Sequence, residues 1–356
     1  YKYPISEKHL FEAGGKYTSS PENSDSWESY GSEASALSRD ESTRIKVKQI
    51  RDIGALYASY TGTYGRWNTR VGLRYEYTKM GLRYSIGSDP DFTTHLNDLV
   101  PNASVSYSMP NASNIRAAYQ MRISRPGLYA LNPYRNTQNP GYVSYGNPDL
   151  KSEKSHRLSL SYANYAHPLS GSVKAGYFFS NNSITDIIFS QDNLIHSTYA
   201  NVGRAQQASL ELQLSWSPTR NLNFNLWASE EYAHVKAESE FLKQSNHGWR
   251  TNFNSGIDYT MPFKIRASAY GGGGTGWIDL QSKGAGFYYY GIGLSRSFLK
   301  EDRLTLRVSA NNFLPAYRKT HWNQESATAR TYSENRQRQY SYALSISYRF
   351  GALKAD

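Results

Sequence analysis

Eight histidines, at 9, 95, 156, 167, 196, 234, 247 and 321, are the side chains best suited to bind a metal or move a proton near neutral pH. No pair stands at the H-x-x-x-H spacing that places two ligands on one helix face. His95, His196 and His321 could assemble a metal site only across loops, and isolated loop histidines are usually just solvated. The chain contains no cysteine, so thiolate ligands, a thiol nucleophile and disulfides are all excluded. Acid–base candidates are Asp89-Pro90-Asp91 with His95, and Glu230-Glu231 with His234. Such groups catalyse only when a nucleophile, a base and an orienting group come within hydrogen-bond reach. No G-x-S-x-G turn supplies a serine nucleophile. Gly271-Gly272-Gly273-Gly274-Thr275-Gly276 matches G-x-G-x-x-G, but a dinucleotide site needs a helix immediately after it. Here Trp277-Ile278-Asp279-Leu280 reads as continuing strand, so the glycines mark a bend or a close backbone approach. The sequence therefore reads as neither an enzyme nor a carrier of a metal or cofactor.

The elements around these residues are more informative. From Ser341 to Phe350, Tyr342, Leu344, Ile346, Tyr348 and Phe350 alternate with small or polar residues. A strand has a two-residue side-chain period, so this segment offers one apolar and one polar wall. The pattern recurs along Val71, Leu73, Tyr75, Tyr77; along Ala208, Leu210, Leu212, Leu214, Trp216; and along Trp249, Thr251, Phe253, Ser255, Ile257, Tyr259. About fourteen such segments begin near residues 7, 49, 67, 99, 113, 153, 170, 196, 220, 246, 263, 284, 303 and 329. A mean hydropathy of −0.68 is poor for a large soluble core, while 31 Tyr, 13 Phe and 7 Trp suit aromatic girdles around a wet lumen. The pattern predicts an antiparallel transmembrane β-barrel, with Tyr259, Trp216 and Tyr348 facing lipid or the girdles. No apolar run reaches the ~18 residues of a membrane-spanning helix. The net charge of +11 is spread over strands and turns without a dense basic block, which argues against a nucleic-acid partner.

Connection lengths give a second signal. Short turns are expected at 64–67, 110–113, 167–170, 218–221, 261–263 and 300–302, and longer polar connections at 20–48, 84–98, 125–152, 189–196, 238–246 and 320–329. Every short turn falls on the side of both chain ends, the parity of periplasmic turns against external loops. The stretch from Arg125 to Leu150 holds Pro126, Pro133, Pro140 and Pro148. It is expected to be an ordered external loop without regular pairing, with a short helical turn near Leu128–Leu131.

Several stretches carry a family resemblance. Arg122-Ile123-Ser124-Arg125-Pro126, Leu131-Asn132-Pro133-Tyr134 and Gly146-Asn147-Pro148-Asp149-Leu150-Lys151-Ser152-Glu153 resemble the "R-x-x-RP … LNP … GNPxLxxE" signature of TonB-dependent-receptor-like barrels. The group they most resemble is the outer membrane protein beta-barrel family. Gly72-Leu73-Arg74-Tyr75-Glu76, Leu99-Val100-Pro101-Asn102-Ala103, Tyr199-Ala200-Asn201-Val202-Gly203 and Tyr348-Arg349-Phe350-Gly351 match further segments in the right order. The resemblance implies a barrel of about twenty-two strands, a plug within it and an N-terminal segment that contacts TonB. Residues 1–356 hold fewer strands, and neither a plug, a TonB-contacting segment nor a signal peptide is recognisable in them. They read as the C-terminal part of such a barrel.

The expected location is a Gram-negative outer membrane, with outer-membrane lipid as the surrounding partner. The expected function is nutrient uptake, in which external loops capture the ligand and TonB acts through N-terminal segments. The alternatives are a stand-alone passive channel or structural barrel and, further off, an outer-membrane enzyme. Tyr129, Tyr134, Tyr142, Tyr145 and Trp322 are the loop aromatics that could grip a ligand, whose identity the sequence does not reveal. The terminal set ending in Phe350 resembles the signal read by the barrel-assembly machinery. A surface lipoprotein would accompany a large polymeric ligand.

Overall fold

The computed structural model describes residues 1–30, 38–87, 91–137, 139, 141–315, 317–325 and 330–350. Its strands are β1 (Lys2–Ser6), β2 (His9–Ser19), β3 (Glu22–Tyr30), β4 (Ser38–Tyr64), β5 (Trp67–Ile86), β6 (Phe92–Met109), β7 (Ser113–Ser124), β8 (Tyr142–Ser144), β9 (Glu153–Asn164) and β10 (Leu169–Gln191). There follow β11 (Leu194–Thr219), β12 (Leu222–Glu238), β13 (Lys243–Met261), β14 (Ile265–Gly274), β15 (Ser282–Lys283), β16 (Phe287–Phe298), β17 (Leu304–Asn311), β18 (Tyr317–Glu325), β19 (Arg330–Arg338) and β20 (Ser341–Tyr348). One helix, α1, spans Leu128–Leu131. Seventeen strands form one sheet, while β15, β18 and β19 form a small second one. The large sheet is an antiparallel meander in which neighbours in sequence are neighbours in space. β2 and β3 both pair with β4 and act as one strand broken at Ser20-Pro21. With that merger, and with the short β1 and β8 set aside, the meander matches the segments read from the sequence.

The register shows why the alternation matters. On β11, β12 and β13 the directly opposed residues form rows on one face. Three such rows are Trp216/Phe224/Ile257, Leu212/Ala228/Phe253 and Ala208/Tyr232/Trp249. Trp216, Trp249, Phe253 and Ile257 in these rows stay exposed, Trp249 to 61%. The opposite face carries Gln207, Glu211, Gln213 and Arg250. An exposed and largely apolar outer wall of this extent, broken by Glu230 opposite Leu210, is a lipid-facing surface, and the polar wall faces the lumen. The expected short turns all occur. Gly65 has φ +61°, and Asn111 and Ala112 have φ 66° and 55°, the left-handed pair a tight hairpin needs.

The other end of the molecule differs from expectation. The predicted long loops are mostly tall hairpins. β4 runs 27 residues, β10 23 and β11 26, against the ~9–11 needed to cross a bilayer. The stretch 189–196 is strand except for Asp192-Asn193, both with positive φ. Stretches 20–48, 84–98 and 238–246 likewise consist largely of strand, and 320–325 lies in β18. Above the bilayer an antiparallel ladder needs no apolar face, so polar composition there does not signal loop. Two strand expectations also fail. β14 ends at Gly274, and Ile278 makes only an isolated bridge to Lys283, so Trp277–Leu280 does not continue the strand. The strand expected from 329 to the end breaks at Gln339-Tyr340 into β19 and β20.

Leu212→Arg places a charge in the middle of the lipid-facing rows and is expected to cost about 2–4 kcal/mol. Gln213→Arg, on the polar wall, should cost less than about 0.5 kcal/mol. Urea unfolding in lipid vesicles, followed by gel mobility of the folded form, measures the difference.

Candidate functional site

The described residues between 125 and 152 leave the wall after β7 and fold back over the polar face near the outer ends of β5 and β6. Pro126 opens the segment, Leu128-Tyr129-Ala130-Leu131 form the single turn α1, and Asn132 ahead of Pro133 ends it. Leu131 and Leu150 are fully buried with Ala130 against Met80 and Leu96, and Phe92, Leu128, Ile184 and Tyr199 pack around them. Each such buried side chain contributes about 1.5–3 kcal/mol. The segment is thus a packed lining of the inner wall and not a projecting external loop. Nor do its prolines exclude pairing, because β8 lies parallel to Ile195–Ser197 of β11.

Polar anchors fix the segment at several points. Glu76, in the Gly72–Glu76 stretch, is an ion-pair partner of both Arg74 and Arg125, and Arg125 Nε also donates to Thr78 Oγ1 at 2.8 Å. Burial, and then the charges of Arg51 and Arg74, hold the Arg125 guanidinium below its ordinary pKa. Asn132 Nδ2 donates to the Tyr84 hydroxyl at 3.0 Å. Gly146 packs so closely that a Cβ would lie 2.6 Å from the carbonyl oxygens of Ala130 and Asn132. Asn147 Nδ2 donates to the Tyr199 carbonyl at 2.9 Å, and the Ser152 hydroxyl donates to the buried Asp98 at 2.6 Å. Asn201 clamps Lys151, accepting its N–H at 2.8 Å and donating to its carbonyl at 3.0 Å. Stretches separated by more than a hundred residues in sequence, from Gly72 to Gly203, therefore converge on one structure.

That structure borders a cavity of about 580 Å³. The segment contributes Pro133, Arg135, Tyr145, Gly146, Asn147 and Pro148; β10 and β11 contribute Ile187, Phe189, Thr198, Tyr199 and Ala200; the β12–β13 connection closes it with Ser239, Glu240 and Phe241. Four of the lining residues are aromatic: Phe189 stacks on Phe241 at 4.2 Å, and the Arg135 guanidinium lies 5.0 Å from the Tyr145 ring centre. His196 stacks on Phe189 at 5.2 Å and meets Tyr145 edge-on; it is buried, and neither ring nitrogen has a hydrogen-bond partner. One cation, one carboxylate and several rings around such a volume suit a small organic ligand held by stacking and a few polar contacts.

Of the aromatics singled out from sequence, Tyr145 lines this cavity. Tyr129 is exposed and meets Tyr199 edge-on, Tyr134 stands half-exposed, and Tyr142 lies on β8. Trp322 lies on β18 in the small second sheet, outside the lining. The sequence reading missed Phe189, Tyr199 and Phe241, whose only signal was an aromatic at the tip of a hairpin or within the Tyr199–Gly203 motif.

The proposed His95/His196/His321 cluster does not form. His95 hydrogen-bonds the Tyr77 hydroxyl, His321 that of Tyr332, and His196 sits among rings. Among the described residues no group of three His, Cys, Asp or Glu is placed to hold a metal. Asp89 and Pro90 lie outside the described residues, and Asp91 accepts the Tyr84 N–H. Glu230 accepts from Thr251, Glu231 pairs with Arg250, and His234 contacts Ser245, so each group of the second acid–base candidate has a separate partner. The glycines at 271–274 sit inside β14, where a Cβ on Gly273 would meet the Phe287 carbonyl at 2.7 Å. Tyr342, Leu344, Ile346 and Tyr348 form one exposed row on β20, with the Phe350 ring 4.6 Å from Tyr348.

Residues 1–348 match the sequence model of a family described as "Outer membrane protein beta-barrel family". No curated protein is matched in sequence. Among solved structures, "Copper transporter OprC" superposes with a TM-score of 0.69 at 13% identity, over 97% of this chain and 56% of that one. The FrpB iron transporter from Neisseria meningitidis (F3-3 variant) gives 0.67 at 12% identity, over 98% and 54%. The ferric citrate transporter FecA in its unliganded form gives 0.65 at 15% identity, over 98% and 53%. The chain spans about half the length of these structures, and at such identities the likeness is one of fold.

Glu76→Gln should leave Arg125 without its counter-charge, a change expected to cost about 3–5 kcal/mol locally. Hydrogen exchange is expected to show lost protection across 128–132 and 145–152 while β13 is unchanged.

Proposed function

Given that this chain belongs to the outer membrane protein beta-barrel family and lies in the outer membrane, we propose that it is the barrel portion of an energy-coupled receptor that takes up an external nutrient. The observation that carries this reading is the cavity at the outer end of the polar face, walled by Tyr145, Phe189, Tyr199 and Phe241 with Arg135 and Glu240 at its rim. The solved structures of like fold are named as copper, iron and ferric citrate transporters, which supports a transport role. In this mechanism no bond in the ligand is broken. The rings and the two charges retain it, the polar lumen offers the route, and TonB supplies energy through segments outside residues 1–356. A surface lipoprotein would assist only with a bulky ligand, and insertion would use the terminal row ending in Phe350. The second reading, a passive channel, rests on the polar inner wall alone.

Accumulation of radiolabelled iron chelates, oligosaccharides, peptides and cobalamin in cells expressing the full-length protein, with and without TonB, separates the two. Uptake of one class is expected, dependent on TonB and reduced about tenfold or more in Tyr145→Ala/Phe241→Ala, since base or ring stacking of this kind contributes ~1–3 kcal/mol. A steady conductance of the full-length protein in planar bilayers, with no TonB-dependent uptake of any class, would overturn the receptor reading.

A further inference from the structure

The inner wall repeats one arrangement in three successive rows of the ladder. Across β13, β14 and β16, the outermost of these rows holds Asn252, Gly274 and Phe287, and the next holds Asn254, Gly272 and Tyr289. The third holds Asn225, Gly256 and Tyr270 on β12, β13 and β14, followed by Gly291 on β16 and Asn311 on β17. These pairings run without a bulge, so all three rows lie on the face opposite Phe253 and Ile257. Each row sets a carboxamide, a glycine and an aromatic ring side by side. Two of the glycines fix how the rings lie. A Cβ on Gly272 would stand 2.6 Å from Tyr289 Cζ, and one on Gly291 would stand 2.6 Å from Tyr270 Cζ, so both rings rest flat across bare backbone. Their other faces stay open to the lumen, and Phe287, Tyr289 and Tyr270 all remain exposed. The ring centres step down the wall, 6.5 Å from Phe287 to Tyr289 and 6.3 Å from Tyr289 to Tyr270. The Arg318 guanidinium lies 6.0 Å from the Phe287 ring centre.

The polar groups beside the rings are uncommitted. Among the described residues, the carboxamides of Asn225, Asn252 and Asn254 and the Tyr289 hydroxyl have no hydrogen-bond partner in the protein. Asn225, Asn254, Tyr270, Tyr289 and Arg307 border a polar cavity of about 390 Å³. The charges on this face of β12–β17 are nearly all neutralised. Glu231 pairs with Arg250 at 3.0 Å and Asp258 with Arg266 at 3.1 Å, which leaves Arg307, among the described residues, without a carboxylate in reach. A wall of rings and free amides with little net charge suits a neutral, hydroxyl-rich ligand. The face of an aromatic ring covers the apolar C–H face of a sugar, and a carboxamide both donates to and accepts from adjacent hydroxyls. Repetition of the same unit in every row fits a chain of like units better than one compact ligand. We propose, resting on the receptor reading, that these three rows bind a neutral oligosaccharide, one sugar unit to each row, as it passes through the lumen. The nutrient is then a glycan.

The test is isothermal titration calorimetry of the full-length protein in a detergent without a sugar headgroup. The probes are maltotriose, cellotriose, mannotriose and xylotriose, each beside its monosaccharide. At least one trisaccharide is expected to bind, on the order of tenfold or more tighter than its monosaccharide, because it engages more rings. Tyr270→Ala/Tyr289→Ala should weaken that trisaccharide about tenfold or more, the scale of losing stacked rings. Asn225→Leu/Asn254→Leu should weaken it as well, while Tyr289→Phe, which keeps the ring, should bind like the wild type; gel mobility of the folded form checks that each variant is a barrel. Binding of none of the four trisaccharides overturns the proposal. So does an unchanged affinity in the folded Tyr270→Ala/Tyr289→Ala variant, which would place the sugar elsewhere. The receptor reading fails separately. TonB-dependent uptake of another nutrient class with no trisaccharide bound refutes the oligosaccharide alone, whereas trisaccharide binding without TonB-dependent uptake supports the site and refutes the receptor.

Discussion

A chain that enters hydrocarbon must pair every backbone N–H and C=O within itself, because nothing in the lipid will do so. The meander of this protein satisfies that demand for every strand between its two edges, β1–β3 and β20, and the rest of the architecture follows from it. A ladder with a two-residue period assigns each residue to lipid or to lumen, so Leu212 and Gln213 meet opposite solvents although they are adjacent. The polar wall that results can support a lining, and the Arg125–Leu150 segment is built on it. Its charges are tolerable there because Glu76, Thr78 and Asp98 already face inward from β5 and β6.

The anchors and the cavity wall divide the work. Arg125, Asn132, Asn147, Ser152 and Asn201 commit their polar atoms to other parts of the protein, and they belong to the stretches that carry the family resemblance. Arg135, Phe189, Glu240 and Phe241 border the cavity but lie outside those stretches. On the proposed reading, changing the second group alters what the cavity accepts without loosening the frame that holds it. The likeness in fold to transporters of chemically different cargo is consistent with that separation.

Much of the fold was legible in the sequence because its determinants are local. Alternation along Ala208–Trp216 and turn chemistry at Asn111-Ala112 need no knowledge of distant residues, and Pro126 and Pro133 bracket the turn at Leu128–Leu131. What was not legible depends on partners far away. The burial of Leu131 and Leu150 needs Met80 and Leu96, and the role of Glu76 needs Arg125. The height of β10 and β11 was hidden for another reason: strand that stands in water carries no apolar stripe, so its composition resembles loop. His95, His196 and His321 misled because several strands can approach the same level of a barrel without bringing their side chains together.

The hairpin of β10 and β11 has one more implication. Its tip at Asp192-Asn193 stands roughly 45 Å of strand beyond the girdle row at Ala208, by the rise of ~3.3 Å per residue. The two tip residues lie outside the regular pairing, and the packed cluster around Ile187 and Ala237 braces the hairpin to within five residues of that tip. A hairpin held this close to its turn keeps its head in place while the two unpaired residues remain free to accept an insertion. Inserted at that turn, a peptide epitope or an affinity tag would be displayed well clear of the cell envelope, making the hairpin a ready-made scaffold for decorating a bacterial surface.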